Sequence, residues 1–422
     1  MTLPIRYFRL LATAQEAQTV DALVAAEGFI GRQEAVYGLA RRLQSGPYAL
    51  GRSVAAQFGR VYIQDKSSLL PPLCLNPGLG DTVVDMCASP GSKTGLLAQL
   101  VGPEGLVVAN EPHPARLETL RANMRHLGLP NVITLSERGE NLRLAENGAS
   151  HILVDAPCSG WGTEAKNPNV RQMWHEGNVQ GLIDLQRRLL TRAAQLLRPN
   201  GCLVYSTCTT NPQENAAQIA WAVQELDLEV EPLSAPQSVP CESRGLQDGL
   251  LQVQGQESES QGFFIARLRK KQRSEIRKQP AGVWRALLPS HIQEATSEVV
   301  QLLPGIDARS LDSGRVWAFG EKLFYAPRQV PEIVPPQVPW HGAFLGRRKK
   351  TNILVDPRAR WLLPSAPGIS ALDVQELADL EALLRGQRLP CERKAKRVGL
   401  YWRGLALGWA GVKGKQAVWT AK

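Results

Sequence analysis

The chain has 422 residues, 43% of them hydrophobic and 21% charged, with 49 Lys and Arg against 39 Asp and Glu for a net charge of +10. Those proportions exclude disordered and collagen-like classes and leave room for two or three globular domains. No uninterrupted apolar run reaches the ~18 residues of a membrane span, Met1-Thr2-Leu3-Pro4-Ile5-Arg6 lacks the layout of a secretory leader, and seven scattered cysteines with no Cys-X-X-Cys pair argue against a disulfide framework and a zinc site. The expectation is a cytosolic protein without membrane contact or metal.

In chain order, residues 1–75 are expected to form a small α-rich unit, with helical patterns over 14–26 and 33–43 and a strand-like piece at 59–63. From Asp81 the period changes. Short apolar strands are expected at 82–86, 106–110, 132–135, 151–154, 203–205 and 263–266. They alternate with helices beginning near Lys93, running over 114–127, and running over 179–197 before the stop signal Arg198-Pro199-Asn200-Gly201. Strands alternating with helices predict βαβ units and an α/β domain with a mainly parallel sheet over 76–270. A basic linker is expected at 271–285, followed by a small β-rich module over 286–422. That module includes a hairpin at 316–325, a Pro-rich stretch, and the basic run Gly346-Arg347-Arg348-Lys349-Lys350. Residues 385–422 hold ten Lys or Arg against one acid, Glu392. So concentrated a basic segment is the footprint of a polyanion binder.

Three stretches carry candidate chemistry. Asp85-Met86-Cys87-Ala88-Ser89-Pro90-Gly91-Ser92-Lys93-Thr94 joins the first parallel strand to its helix, where small residues let a ligand approach the backbone and free N–H groups. It is not a phosphate-binding P-loop, because Ser92 stands where Gly must precede the lysine. Glu111, just past the second strand, suits a pair of ribose hydroxyls. Asp155-Ala156-Pro157-Cys158-Ser159-Gly160 follows the buried run His151-Ile152-Leu153-Val154. Ser206-Thr207-Cys208-Thr209 follows Leu203-Val204-Tyr205. One cysteine alone is more often an inert small core residue. Two of them beside an aspartate, each just past a strand of the same sheet, point to nucleophile chemistry. A helix expected near Pro212 would put Cys208 at a helix N-terminus and lower its pKa.

Asp155-Ala-Pro-Cys158-Ser-Gly, Ser206-Thr-Cys208-Thr and Ala88-Ser-Pro-Gly-Ser-Lys93-Thr, in this order, resemble the RNA cytosine-5 methyltransferases of the Nol/Nop/Sun family over residues 62–267. The end of the chain, Gly399-Leu-Tyr-Trp-Arg-Gly-Leu-Ala-Leu-Gly-Trp with Val412-Lys-Gly-Lys, is similar to the small-subunit rRNA methyltransferase F group, which carries a PUA-like RNA-binding module there. The resemblance implies a class I, Rossmann-like methyltransferase using S-adenosyl-L-methionine. It also implies an enzyme acting on RNA, foremost small-subunit rRNA, free or within the subunit; nothing in the sequence points beyond a cytoplasmic monomer. Cys208 would attack carbon 6 of cytosine, Cys158 would assist release, Asp155 would hydrogen-bond the base, and Lys93 would sit near methionine and base. Cys87, Ala88, Ser89, Pro90, Gly91, Ser92 and Lys93 would wrap the methionine part of the cofactor, and Glu111 would hold the ribose. One position departs from the family: Arg138 stands where an Asp usually meets the adenine amino group, and an arginine cannot accept that bond. Either Glu137 or Glu140 substitutes, or backbone and apolar contacts hold the adenine. Two other readings compete. One is a DNA cytosine-5 methyltransferase using the Pro-Cys thiol as nucleophile, which would need a long target-recognition insertion not evident here. The other is a non-catalytic RNA-binding or ribosome-assembly factor on a methyltransferase scaffold, against which both thiols and Asp155 speak.

Overall fold

The computed structural model describes residues 6–164, 167, 169–174, 178–233, 239–243, 249–253, 262–272, 287–290, 292–350, 352–392 and 395–421. Of the expected linker, residues 273–285 lie outside this set. Among the described residues no helix is long and apolar enough to cross a membrane.

The N-terminal unit differs from its α-rich expectation. Strands β1 (Arg6–Leu10), β2 (Ile30–Gln33), β3 (Ala40–Ser45) and β4 (Val61–Gln64) form a sheet of order β2-β3-β1-β4. Helix α1 (Ala17–Ala26) lies where expected and buries Val20, Leu23 and Val24, an i, i+3, i+4 stripe. The helix expected over 33–43 is instead the end of β2, a turn and the start of β3. Its helix formers are overridden because β3 pairs on both edges, with β1 and β2. Two short helices, α2 (Val54–Gln57) and α3 (Leu70–Leu75), complete the unit.

The central sheet follows the sequence closely. Strands β5 (Thr82–Asp85), β6 (Leu106–Asn110), β7 (Val132–Leu135), β8 (Ala149–Asp155) and β9 (Leu197–Thr207) are parallel neighbours in the order β9-β8-β5-β6-β7. Four antiparallel strands extend it beyond β9: β10 (Leu228–Val230), β11 (Cys241–Ser243), β12 (Leu250–Val253) and β13 (Phe263–Lys270). Helices α4 (Ser92–Val101), α5 (Pro114–Leu127), α6 (Val170–Met173), α7 (Gln180–Leu196) and α8 (Ala216–Glu225) connect them. The parallel strands bury both faces, which is why they read as continuous apolar runs. The chain leaves β5 toward β6 and β7, then returns to β8 on the other side of β5. The crevice at the carboxyl ends of β5 and β8 is therefore the topological switch point, where such sheets bind ligands.

The C-terminal region holds two five-stranded sheets. One comprises β14 (Ile292–Glu294), β15 (Gly314–Phe319), β16 (Lys322–Pro327), β17 (Ala343–Arg348) and β18 (Ile353–Val355). The other comprises β19 (Leu372–Val374), β20 (Leu389–Pro390), β21 (Arg397–Trp402), β22 (Leu405–Lys413) and β23 (Gln416–Val418). Trp317, Trp340, Trp402 and Trp409 are buried in their cores, so these tryptophans serve packing. Trp402 and Leu400 share a core with Phe8 and Leu10 of the N-terminal sheet, while Trp317 and Trp340 pack on the central sheet. The buried Arg360 guanidinium donates to the carbonyls of Phe58 (3.4 Å), Gly59 (3.2 Å) and Leu127, tying all three regions together.

Candidate active site

The loop after β5 is fixed from beneath and from the side. Asn110 at the end of β6 donates to Met86 O (3.2 Å) and Glu137 O (2.8 Å), so one amide holds the loops following β5 and β7. Helix α5 holds the outer part: Asn123 donates to Pro90 O (2.8 Å), and Arg116 to Ser89 O (3.3 Å). Gly91 caps α4 at φ +107°, and a Cβ there would lie 2.6 Å from the Met124 methyl, so the position admits only glycine. Burial pushes the Cys87 thiol well up, which suits a packing role.

Two carboxylates stand at this end of the sheet. Glu111 is buried, accepts from His113 N (3.0 Å) and pairs with Arg116 (3.2 Å). Asp85, which motif reading passed over, is buried at the end of β5. Its Oδ2 accepts from Thr94 Oγ1 at 2.7 Å, while Oδ1 has no hydrogen-bond partner among the described residues. Burial pushes its carboxyl up to about 7, against the Thr94 bond that pulls the other way.

Asp155 and the two thiols come together across β8 and β9. The Asp155 carboxylate accepts from Ser206 Oγ (2.9 Å) and pairs with Lys93 Nζ (2.7 Å). Burial disfavours the Lys93 charge, but Asp155 outweighs it and raises the ammonium above its ordinary value. The Cys158 and Cys208 sulfurs lie 3.4 Å apart. The hydrogen bond between them raises the Cys158 thiol well above the usual range and lowers that of Cys208, a lowering that burial and Asp155 oppose and Lys93 supports. The expected helix N-terminus is not the cause, because α8 begins at Ala216, well beyond Cys208. Gly162 N donates to Cys208 O at 3.0 Å, and a Cβ on Gly162 would sit 2.8 Å from that oxygen, so this glycine lets the two thiol loops close on each other.

A buried polar network that motif reading missed holds both thiol loops. Glu214 is fully buried. Its Oε2 accepts from Ser159 N (2.9 Å) and Gln186 Nε2 (2.9 Å), and its Oε1 from Ser159 Oγ and Asn211 Nδ2 (3.1 Å). Gln186 also donates to Pro157 O (2.9 Å), and Ser159 Oγ lies 2.7 Å from Thr209 Oγ1. The available signal was the polar cluster Asn211-Pro-Gln-Glu-Asn215 directly after the Thr-Cys motif.

Arg138 is not gathered into the site. Its side chain is 74% exposed and turns to Glu140 (3.1 Å). Glu137 is held by Arg143, whose N and Nε donate at 2.8 and 2.6 Å.

Residues 72–269 match the family described as 16S rRNA methyltransferase RsmB/F. The chain is similar to ribosomal RNA small subunit methyltransferase F of Escherichia coli O9:H4 (strain HS), 33% identical over 293 residues that cover 68% of this chain and 60% of that protein. It is similar to the tRNA (cytosine(49)-C(5))-methyltransferase of Pyrococcus abyssi (strain GE5 / Orsay), 32% identical over 228 residues, covering 52% of this chain and 73% of the relative. The solved structure of a methyltransferase homolog protein from Pyrococcus horikoshii superposes with a TM-score of 0.55 at 30% identity, covering 64% of this chain and 87% of the other.

Proposed function

The chain belongs to the 16S rRNA methyltransferase RsmB/F family, and from that premise we propose that it methylates carbon 5 of a cytidine in RNA, foremost small-subunit rRNA, as a cytoplasmic monomer using S-adenosylmethionine. The observation that carries this reading is the pair of thiols 3.4 Å apart, beside the Lys93–Asp155 pair at the ends of β8 and β9.

The residues at the ends of β5 and β6 suit such a donor, which when bound supplies an electrophilic methyl group. Asp85 Oδ1, buried without a partner among the described residues, would accept from its ammonium, and the Glu111 carboxylate from its ribose. Residues 87–93 would line the methionine end. Carbon 5 of cytosine is a poor nucleophile within an aromatic ring. The Cys208 thiolate would add to carbon 6, forming a C–S bond and pushing ring electrons onto carbon 5, which then takes the methyl group. Asp155, already oriented by Lys93 and Ser206, would hydrogen-bond the ring nitrogen or amino group and steady the charge that develops. Loss of the carbon 5 proton to a base restores the double bond and expels Cys208 as thiolate, a step Cys158 would assist. The attack needs access to the ring face, so the base must leave its stack. Arg385, Arg388, Lys396, Arg403, Lys413 and Lys415 are exposed on the C-terminal sheet and its approach. They would serve RNA phosphates, as a PUA-like module does.

The direct test is incubation of purified protein with transcribed 16S rRNA and with small subunits in tritiated S-adenosylmethionine, followed by bisulfite mapping. The expected product is 5-methylcytidine. No transfer to either substrate would favour the non-catalytic assembly factor. A pH dependence follows as well. Cys208 must be deprotonated to attack, so the rate of adduct formation should rise with pH on a limb below 9.0, the ordinary thiol value. In Cys158→Ala the S–H donor is gone and the limb should move up; an unmoved limb would mean that Cys158 does not set the Cys208 pKa.

A further inference from the structure

A cavity of about 450 Å³ lies at the seam between the methyltransferase sheet and the C-terminal region, walled by α5 and β7 on one side and by β16 and β17 on the other. Edge strand β7 is stapled to that region by Thr134 N to His341 O (2.8 Å) and His341 N to Thr134 O (3.1 Å). Lys322 and Arg347 stand on its rim in direct cross-strand register, both exposed. Neither has an ion pair among the described residues. Like charges placed opposite each other cost a sheet stability, and an anion between them would remove that cost. Two neighbouring cations of the run Gly346-Arg347-Arg348-Lys349-Lys350 are already paired, Arg348 with Glu298 (3.1 Å) and Lys349 with Glu321 (3.2 Å).

The interior supplies π-surface. Phe324 and Phe344 meet edge to face at 5.5 Å, Arg125 lies 4.9 Å over the Phe344 ring, and Trp361 adds a third aromatic wall. His341 is neutral, pushed down to about 4 by burial and by Arg121, whose guanidinium lies 2.8 Å from its Nδ1. A cationic rim over aromatic walls matches one nucleotide of a single strand, phosphate outside and base within. We propose that this seam holds one unpaired nucleotide of the RNA substrate, distinct from the methylated cytidine, with its phosphate between Lys322 and Arg347 and its base against Phe344 and Trp361. The proposal rests on the RNA reading above. Helix α5 would couple this site to the cofactor loop, since Met124 both lines the cavity and packs against Gly91, while Arg116 and Asn123 hold Ser89 and Pro90.

The test uses the full chain and a fluorescein-labelled single-stranded RNA oligonucleotide, with affinity measured across a salt series. In the double variant Lys322→Gln/Arg347→Gln, the slope of log affinity against log salt should become shallower by about 0.7, the value for one lost phosphate contact on a single strand. Phe344→Ala should weaken binding about tenfold with its slope unchanged. Thermal unfolding of the Gln variant no lower than that of wild type, as expected at two exposed positions whose like charges oppose each other, keeps the comparison valid. Photocrosslinking of wild type to 5-iodouridine RNA should also label the peptide spanning β17. Wild type that binds RNA, with variants of equal affinity and slope and no label on β17, overturns the seam site alone. Wild type that binds no RNA overturns the seam site and the RNA reading together.

Discussion

Cys208→Ala is expected to abolish methyl transfer and to form no covalent complex with RNA, whereas Cys158→Ala is expected to accumulate one that survives a denaturing gel. The two thiols lie 3.4 Å apart and are chemically alike, so the assignment rests on which sulfur its surroundings make the better thiolate. Their mutual hydrogen bond raises Cys158 and lowers Cys208, and Lys93 adds to the second effect. The sulfur that deprotonates more readily is the better nucleophile, so removing Cys208 should remove the bond by which carbon 5 is activated. Removing Cys158 leaves attack and methylation possible but slows elimination, by about 10²- to 10⁴-fold for loss of a positioned proton-transfer group, so the adduct outlives the gel. Wild type, both variants and the double variant, each mixed with small-subunit rRNA and S-adenosylmethionine, suffice. An adduct in Cys208→Ala and none in Cys158→Ala would hand attack to the Pro-Cys thiol, the arrangement of the DNA-directed enzymes.

The parallel core was legible because its strands are buried on both faces. Leu106–Asn110 and Val132–Leu135 stand where the apolar runs placed them, and Pro114–Leu127 where proline and glycine bracket a helical period. The N-terminal sheet was not legible, because β3 carries helix formers and becomes a strand only through partners distant in sequence. The burial of the C-terminal tryptophans was not legible either. The sheet of β21 and β22 is packed on both faces, Trp402 against the N-terminal core and Trp409 against the neighbouring C-terminal core, while Arg403 in the turn between them and Lys413 at the end of β22 stay exposed. At the site, residues with distinctive chemistry in short motifs could be found: Cys158, Cys208, Asp155 and Lys93 converge as the motifs implied. Arg138 was placed by register alone, and its side chain turns outward. Asp85 and Glu214 act through burial, which no motif encodes.

Glu214→Ala should therefore cost more than its distance from any reacting atom suggests. Its two oxygens accept from four donors, on Ser159 (backbone and hydroxyl), Gln186 and Asn211. Truncation leaves Ser159 N and Asn211 Nδ2 buried and unpaired, while Gln186 and the Ser159 hydroxyl keep Pro157 O and Thr209 Oγ1; each unpaired group costs about 1–3 kcal/mol, so a loss on the order of 3–5 kcal/mol is expected. The functional consequence is separate from the stability. Ser159 adjoins Cys158 and Asn211 follows Cys208, so Glu214 spans both thiol loops, and releasing it lets the 3.4 Å sulfur contact open. Without that contact Cys208 loses the donor that lowers its pKa, and the pH limb of adduct formation should move upward as it does in Cys158→Ala. Glu214→Gln keeps one acceptor oxygen but sets an NH₂ group against donors on the other side. It should recover part of the stability while leaving the limb displaced. Urea unfolding separates the two effects from adduct kinetics across pH. A Glu214→Gln protein with reduced stability and a wild-type limb would confine Glu214 to scaffolding. A displaced limb in a folded protein would make it the residue through which the fold positions the nucleophile.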